Sequence, residues 1–509
     1  MTPLVKKYFL KLPHASDEDK TPDLERVLDG LRREGLDVGH VPVSVIRKVS
    51  STLRDNDFEV TATVCLAGRP ELIDVEPGGF AGRRSTAFGL AVDLGTTNIV
   101  CSIVDLNSGK SVGELSGTNP QTAIGEDILA RIHHCLKLSE AGQPAGLEEL
   151  RLAAVDAINV LAERLAHDAG ISVGDISCAC ISGNTTMAHL FLGLDPYNIC
   201  RAPYVPAANR FGSFRAKELG LNIKPEAPVV VLPNVGSYVG GDVLAGILAS
   251  GMAERDGISI LVDVGTNAEI IVGNRDWLVA CAGAAGPALE GGVVSSGMRA
   301  APGAIDRIRI GENYEPSFSV IGDVPPYGMC GSALIDLLSE LFRTGLIDGR
   351  GRFIPGRTER VVNTEWGAAY KVTENIVFTE KDIENLIRTK AAMYTALTVI
   401  TAEIGITFND IESFFVAGTF GEYIAADKAV SIGMLPDIPI NKFKLLGNSS
   451  LKGAVLALLD LKSIEQIENI ASTITYKELN ASAEFMSLYR AAMFLPHTDA
   501  SLFPSAYKS

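Results

Sequence analysis

A chain of 509 residues is longer than one compact core usually grows, so two or three domains are expected, each able to bury a substantial interior. Lys and Arg together number 45 against 61 for Asp and Glu, a formal charge of −16 that argues against a nucleic-acid or anionic-membrane partner. Apolar residues at 47% indicate an ordinary globular protein, and 50 glycines imply many tight turns.

The first twenty residues carry Lys6, Lys7 and Lys11 but no continuous apolar core of signal-peptide length, and no later run approaches the span of a bilayer. A soluble, cytoplasmic protein is expected. Thr21 and Pro22 predict a helix start, as cap and first residue, with Leu24, Val27, Leu28 and Leu31 as its apolar stripe and Gly35 as its end. A second helix places Val45, Ile46, Val49 and Leu53 on one face and runs to the Asp55-Asn56-Asp57 turn. Val60, Ala62, Val64 and Leu66 alternate with Glu59, Thr61 and Thr63, which predicts a half-buried strand. Residues 1–84 therefore read as a small α/β domain, a spacer or docking module, with the boundary between Gly78 and Arg84.

From Ser85 onward long apolar strands, glycine turns and amphipathic helices alternate, the pattern of an α/β architecture. Ala91-Val-Asp-Leu-Gly-Thr-Thr-Asn98 is echoed by Leu261-Val-Asp-Val-Gly-Thr-Asn-Ala268, each followed by a second strand, Ile99 to Asp105 and Glu269 to Gly273. Two similar lobes are expected, at 85–255 and 256–509, with the C-terminal helix packing back on the first. A strand ending in Asp-x-Gly-Thr sets a carboxylate at the rim of a sheet, and the glycine lets backbone N–H groups approach an anion. One copy could be no more than a hairpin turn; two facing copies could grip a polyphosphate from both sides. Asp93 and Asp263 are then expected to organise Mg²⁺ and the attacking water. The turns Gly95, Thr96, Thr97, Asn98 and Gly265, Thr266, Asn267 would hold the phosphates.

Between the copies, Gly240-Gly241-Asp242 leads into an apolar helix with Leu244, Ile247 and Leu248. Asp242 either caps that helix or joins the metal and water shell. Ala282 to Gly292 is a loop of small residues with Glu290 its only charge, suited to close passage of a ligand or to tight lobe packing. The helix after Thr379, with Asp382 completing a capping box, and the helix from Ser449 to Gly453 read as structural. Near the end, Phe414 to Ala417 is an apolar strand running into Gly418-Thr419-Phe-Gly421, a strand-to-helix turn suited to a nucleoside. His133, His134 and His189 lack metal-ligand spacing, and the eight scattered cysteines match neither a zinc nor an iron–sulfur pattern.

The order of these segments resembles the phosphate-one, connecting, phosphate-two and adenosine segments of the actin, hexokinase and heat-shock chaperone ATPases. The expected fold is accordingly two duplicated ribonuclease H-like lobes preceded by a small α/β domain. More narrowly, Asp263 to Glu269, Ala284 to Gly291, Gly297-Met-Arg-Ala300, Gly328-Met-Cys-Gly-Ser332 and Val416 to Gly421 are similar to the reductive activators of corrinoid proteins, as is the N-terminal Tyr8-Phe-Leu-Lys-Leu-Pro13. That resemblance implies an ATPase using ATP and Mg²⁺ to promote reduction of cobalt(II) to cobalt(I) on a corrinoid methyl carrier. In such activators a ferredoxin-like domain with a two-iron two-sulfur cluster precedes the middle domain. No Cys-x₅-Cys-x₂-Cys run stands before Tyr8 here, so an iron–sulfur cluster is expected only in such a further domain. The Ala-Gly-Thr nucleoside turn replaces the superfamily's commoner Gly-Gly pair. A small-molecule kinase and a chaperone-like nucleotide switch are the alternative functions, and a homodimer is left open.

Overall fold

The computed structural model describes residues 1–78, 86–138, 145–265, 268–283, 286–290, 292–365, 367–418, 424–478 and 484–507. The expected boundary at Gly78 to Arg84 falls largely outside them. The chain divides into two compact units, Met1–Ala249 with Ser450–Ser472, and Ser250–Ser449 with Thr473–Ser509.

The first unit opens with strand β1 (Val5–Lys11), helices α1 (Asp23–Arg33) and α2 (Val43–Arg54), and strands β2 (Glu59–Cys65) and β3 (Glu71–Pro77), which form an antiparallel sheet in the order β1-β2-β3. Helix α1 is capped by Pro22 rather than Thr21, with no side chain on the cap, because Pro22 stays extended and Asp23 takes the first helical position. Gly35, at φ +84°, follows its end. On α2, Val45, Val49 and Leu53 are buried but Ile46 is 43% exposed, so the apolar stripe is narrower than its pattern suggests. Strand β2 is buried on both faces, contrary to its alternating sequence. Thr63 lies across from Lys7 on β1 and Asp74 on β3, so these three share a face. Lys224, from later in the unit, covers that face by bonding both Asp74 and Glu76. A polar strand face is buried here because its charges are paired.

The second part of this unit is a six-stranded sheet, ordered β6-β5-β4-β7-β9-β8. Strands β4 (Phe88–Leu94), β5 (Asn98–Asp105) and β6 (Ser111–Thr118) form an antiparallel meander, and β7 (Ile176–Gly183) and β9 (Pro228–Val231) add parallel to β4, with β8 (Ser213–Arg215) at the edge. Helix α3 (Ile128–His134) and the long α4 (Gly146–Ala169) follow β6, α4 packing on β5 and β6. Helices α5 (Thr185–Leu192), α6 (Ala216–Leu219) and α7 (Gly241–Ser250) complete the α/β alternation.

The second unit repeats this order. Strands β10 (Ser259–Val264), β11 (Ala268–Gly273) and β12 (Leu278–Gly283) form the meander. Strands β13 (Ala304–Ile310), β14 (Pro316–Val320) and β15 (Gly328–Met329) make one small sheet, followed by helix α8 (Gly331–Arg343). Strands β16 (Val361–Thr364), β17 (Gly367–Lys371) and β18 (Val377–Thr379) make another, followed by helix α9 (Glu380–Ile404). Strand β19 (Ser413–Ala417), helix α10 (Ala426–Ser431) and strand β20 (Phe443–Gly447) follow. Strands β19 and β20 add parallel to β10 as β7 and β9 add to β4. Helices α11 (Ser449–Leu459) and α12 (Leu461–Thr473) belong almost wholly to the first unit, while β21 (Thr475–Tyr476) joins β12 and α13 (Phe485–Ala492) packs on α9. Thr379 and Asp382 form the expected capping box on α9, and Asp382 also accepts bonds from the Ser295 backbone and hydroxyl.

In this second core, Asp336 on α8 is buried. One carboxylate oxygen accepts from the Ile308 N–H at 3.3 Å and the other has no partner among the described residues. Burial pushes its pKa up to about 6. A carboxyl whose folded pKa exceeds its unfolded value near 3.9 loses folding stability as pH rises from about 4 through 6. Asp336→Asn should therefore stabilise the protein by about 1–3 kcal/mol at pH 8 and by little at pH 4. Denaturant unfolding at the two pH values checks this; an equal effect at both removes the burial argument.

Candidate functional site

In the first unit, strand β4 carries buried Leu90, Val92 and Leu94 and emerges at half-buried Asp93. The turn Gly95 to Asn98 then reverses the chain into β5. A Cβ on Gly95 would sit 2.5 Å from the Asn98 carbonyl oxygen, so only glycine lets the turn close this tightly. Asp93 lies beside Ser182 of β7, and its Oδ1 accepts from the Ser450 hydroxyl at 2.7 Å. Ser450 and Ser182 are themselves 2.9 Å apart. Helix α11, which reads as purely structural in the sequence, thus reaches the carboxylate with its second residue.

Beyond β7, Asn184 caps α5, its Oδ1 accepting from the Met187 N–H at 3.0 Å while its Nδ2 donates to the Thr96 hydroxyl at 3.0 Å. One side chain therefore starts a helix and steadies the turn. A Cβ on Gly240 would run into the Asn184 backbone and come within 2.8 Å of Asp242 Oδ1, which places the start of α7 against Asn184. Asp242 is half-buried, and its Oδ1 accepts from the Val243 N–H at 2.8 Å at the helix start. The turn Gly95 to Asn98, Asn184 and Gly240 to Asp242 so form one cluster.

Behind the turn, on the side of β6 and α3, lies a second set of polar groups. Asn119 Nδ2 donates to the Gly95 carbonyl at 2.9 Å, the Asn119 N–H donates to the Thr97 carbonyl at 2.9 Å, and Arg131 donates to the Thr96 carbonyl at 2.6 Å.

In the second unit, the penultimate residue of β10 is half-buried Asp263, across from Glu269 on β11 and Ala417 on β19. Gly418 follows with φ +88°, its N–H donating to the Gly447 carbonyl at 3.0 Å. A Cβ there would lie 2.6 Å from the Val264 carbonyl oxygen and 2.8 Å from Asp263 Oδ1. The Gly418 turn and the Asp263 carboxylate therefore meet directly, and glycine is required by both conformation and space. Gly265 is half-buried at the head of the β10–β11 turn. Thr266, Asn267, Thr419, Gly421 and the Glu290 side chain lie outside the described residues; the Glu290 backbone belongs to a short 3₁₀ turn, Pro287–Glu290.

His189 and His134 are engaged in ordinary contacts. His189 is buried with Nδ1 2.7 Å from the Thr185 carbonyl, and His134 Nε2 lies 2.8 Å from Glu149. Burial pushes the Cys281 thiol up to about 12 and Cys135 to about 11, so neither offers a thiolate at neutral pH. Sequence reasoning missed Asn119, Arg131, Ser182, Asn184 and Ser450. Only Ser182-Gly-Asn184, a buried strand meeting a glycine and a helix-capping asparagine, carries a local signal that could have marked the site.

Three family models match the chain in order: the RACo linker region over residues 1–82, the RACo middle region over 88–255, and the C-terminal domain of RACo, the ASKHA domain, over 257–507. A corrinoid activation enzyme, RamQ of Eubacterium limosum, is 31% identical over 504 residues, covering 96% of this chain and 82% of that one. A [Co(II) methylated amine-specific corrinoid protein] reductase of Methanosarcina barkeri is 24% identical over 432 residues, 77% of this chain and 74% of that one. The solved structure of a reductive activator for corrinoid, iron-sulfur protein superposes with a TM-score of 0.90 at 40% identity, covering 99% of this chain and 81% of that one.

Proposed function

The chain belongs to the RACo family of reductive activators of corrinoid proteins, and from that premise we propose that it binds and hydrolyses Mg²⁺-ATP to promote reduction of cobalt(II) to cobalt(I) on a corrinoid methyl carrier. The observation that carries the ATP reading is the repetition. In each unit the penultimate residue of the first meander strand is a half-buried aspartate, one apolar residue before a Gly-Thr pair, with two further parallel strands added on the strand's other side. The residues fit a Mg²⁺-polyphosphate: hard carboxylate oxygens stand at strand ends beside turns that a single Cβ would obstruct. Asp93 and Asp242 in the first unit, and Asp263 in the second, are the carboxylates that would each offer oxygens to Mg²⁺, directly or through water, where it would screen the phosphate charge.

Corrinoid reduction needs an electron, which ATP does not supply. An iron–sulfur donor, in a further domain or a separate polypeptide, fills that role. ATP acts by favouring one conformation, and a carrier that prefers this conformation must alter nucleotide affinity in return.

The test is a titration of purified cobalt(II) carrier into the chain with Mg²⁺-ATP, following phosphate release and cobalt absorbance. The carrier is expected to bind and change the hydrolysis rate, with cobalt(I) formed only once an iron–sulfur donor is added. No binding and no change in rate with the matching carrier would favour the kinase or switch readings instead.

A further inference from the structure

The three carbonyls of Gly95, Thr96 and Thr97 are all captured from one side, by Asn119 Nδ2, Arg131 Nη2 and the Asn119 N–H. In a trans peptide the C=O and the following N–H point in opposite directions. Fixing the Gly95 and Thr96 carbonyls therefore turns the N–H groups of Thr96 and Thr97 toward the other side, and successive N–H groups held this way make an anion-binding concavity. The brace is itself rigid. Asn119 Oδ1 accepts from the Gln121 N–H at 3.0 Å, Gln121 Nε2 donates to the Leu150 carbonyl at 2.7 Å, and Asn119, Gln121 and Arg131 are all fully buried.

Arg131 adds charge. Its other donors go to the Gly125 carbonyl at 2.9 Å, the Gln121 side-chain oxygen at 3.0 Å and the Met187 sulfur at 3.3 Å, all neutral. Among the described residues no carboxylate hydrogen-bonds it, and Asp127 at the start of α3 offsets its burial only in part. Burial pulls the guanidinium down to about 10, so it remains charged at neutral pH. A buried cation whose hydrogen bonds all go to neutral groups is costly, and an anion across the turn would offset that cost.

We infer that Arg131, with Asn119, is the positioning group of the phosphate turn, orienting its N–H groups and supplying the buried positive charge that a bound polyphosphate balances. This rests on reading the Gly95 to Asn98 turn as a phosphate cradle. Neither side chain touches the ligand, and both act through the backbone.

The experiment uses the full chain with Arg131→Met, Arg131→Lys and Asn119→Ala, and measures binding of Mg²⁺-ATP, inorganic pyrophosphate and adenosine by calorimetry, with thermal melts as the check on folding. Arg131→Met should weaken pyrophosphate and ATP about 10- to 100-fold, the loss typical when a supporting contact behind a ligand-binding group is removed, and leave adenosine unchanged. Arg131→Lys keeps the charge but not the fork and should recover part of the loss. If Arg131→Met does not fold, Asn119→Ala carries the same expectation through the Gly95 carbonyl. Unchanged pyrophosphate affinity in the folded variants, or an equal loss for adenosine, overturns the inference while leaving the ATPase reading standing. An unaltered chain that binds pyrophosphate but not ATP overturns the ATPase reading alone; binding of neither overturns both.

Discussion

Asp93→Ala and Asp263→Ala should each hydrolyse Mg²⁺-ATP about 100- to 10,000-fold more slowly than the unaltered chain, the range expected when a group orienting proton transfer or the attacking water is lost. The fold should survive both changes. Asp93 is half-buried at the end of β4, and without it Ser450 still has the Ser182 hydroxyl 2.9 Å away. Asp263 is half-buried and stands across from Glu269, so its removal also relieves a like-charge pair between neighbouring strands. Phosphate-release assays on variants with unchanged melting profiles check the expectation, and full activity in both would remove these carboxylates from the mechanism. Loss of activity in only one variant would make the two aspartates functionally unequal.

The second large effect concerns stability rather than turnover. Lys224→Met should destabilise the first unit by about 3 kcal/mol at pH 7, because it takes from Asp74 its buried cation and from Glu76 one of two. The value falls at the low end for a broken buried pair because Lys48 also bonds Asp74 and Lys7 lies 3.1 Å from Glu76. Burial opposes ionisation of Asp74, yet Lys224 and Lys48 together hold its carboxyl below the usual range. A carboxylate with a depressed folded pKa contributes stability that is present above its unfolded pKa, near 3.9, and lost as pH falls through the folded value. In Lys224→Met that depression shrinks, so the penalty should be full at pH 7 and diminish below about pH 4, where Asp74 takes up a proton. Urea unfolding of both proteins at pH 7 and pH 3.5 measures it. A penalty independent of pH would assign the loss to packing alone.

Much of the fold was legible in the sequence because its signals are local. Strands β4 and β10 are apolar runs leading into Asp-x-Gly-Thr, and the turn after β4 needs its glycine whatever surrounds it, since the conflict a side chain would cause at Gly95 is with Asn98, three residues away. The capping box of α9 is equally local, Thr379 and Asp382 satisfying each other's backbone. Where the local pattern misled, a distant group had intervened. Strand β2 alternates as if half-exposed, but Lys224 meets Asp74 from 150 residues further along and buries the polar face. Ile46 fits the helical stripe of α2 yet stays 43% exposed.

The sequence by itself determined that two aspartate-glycine turns exist, that each closes a strand hairpin, and that a third glycine turn follows β19. These depend on backbone sterics and periodicity over a few residues, which composition and spacing record. Only the tertiary structure decided what surrounds the carboxylates and turns. Ser450 reaches Asp93 from 357 residues away, Asn184 reaches Thr96 from 88, and Arg131 reaches the Thr96 carbonyl from 35. The physical reason is that a parallel crossover sheet brings strand ends and helix starts together by topology, so which serine, asparagine or arginine arrives is set by the order of the sheet and leaves no mark in the spacing of residues along the chain.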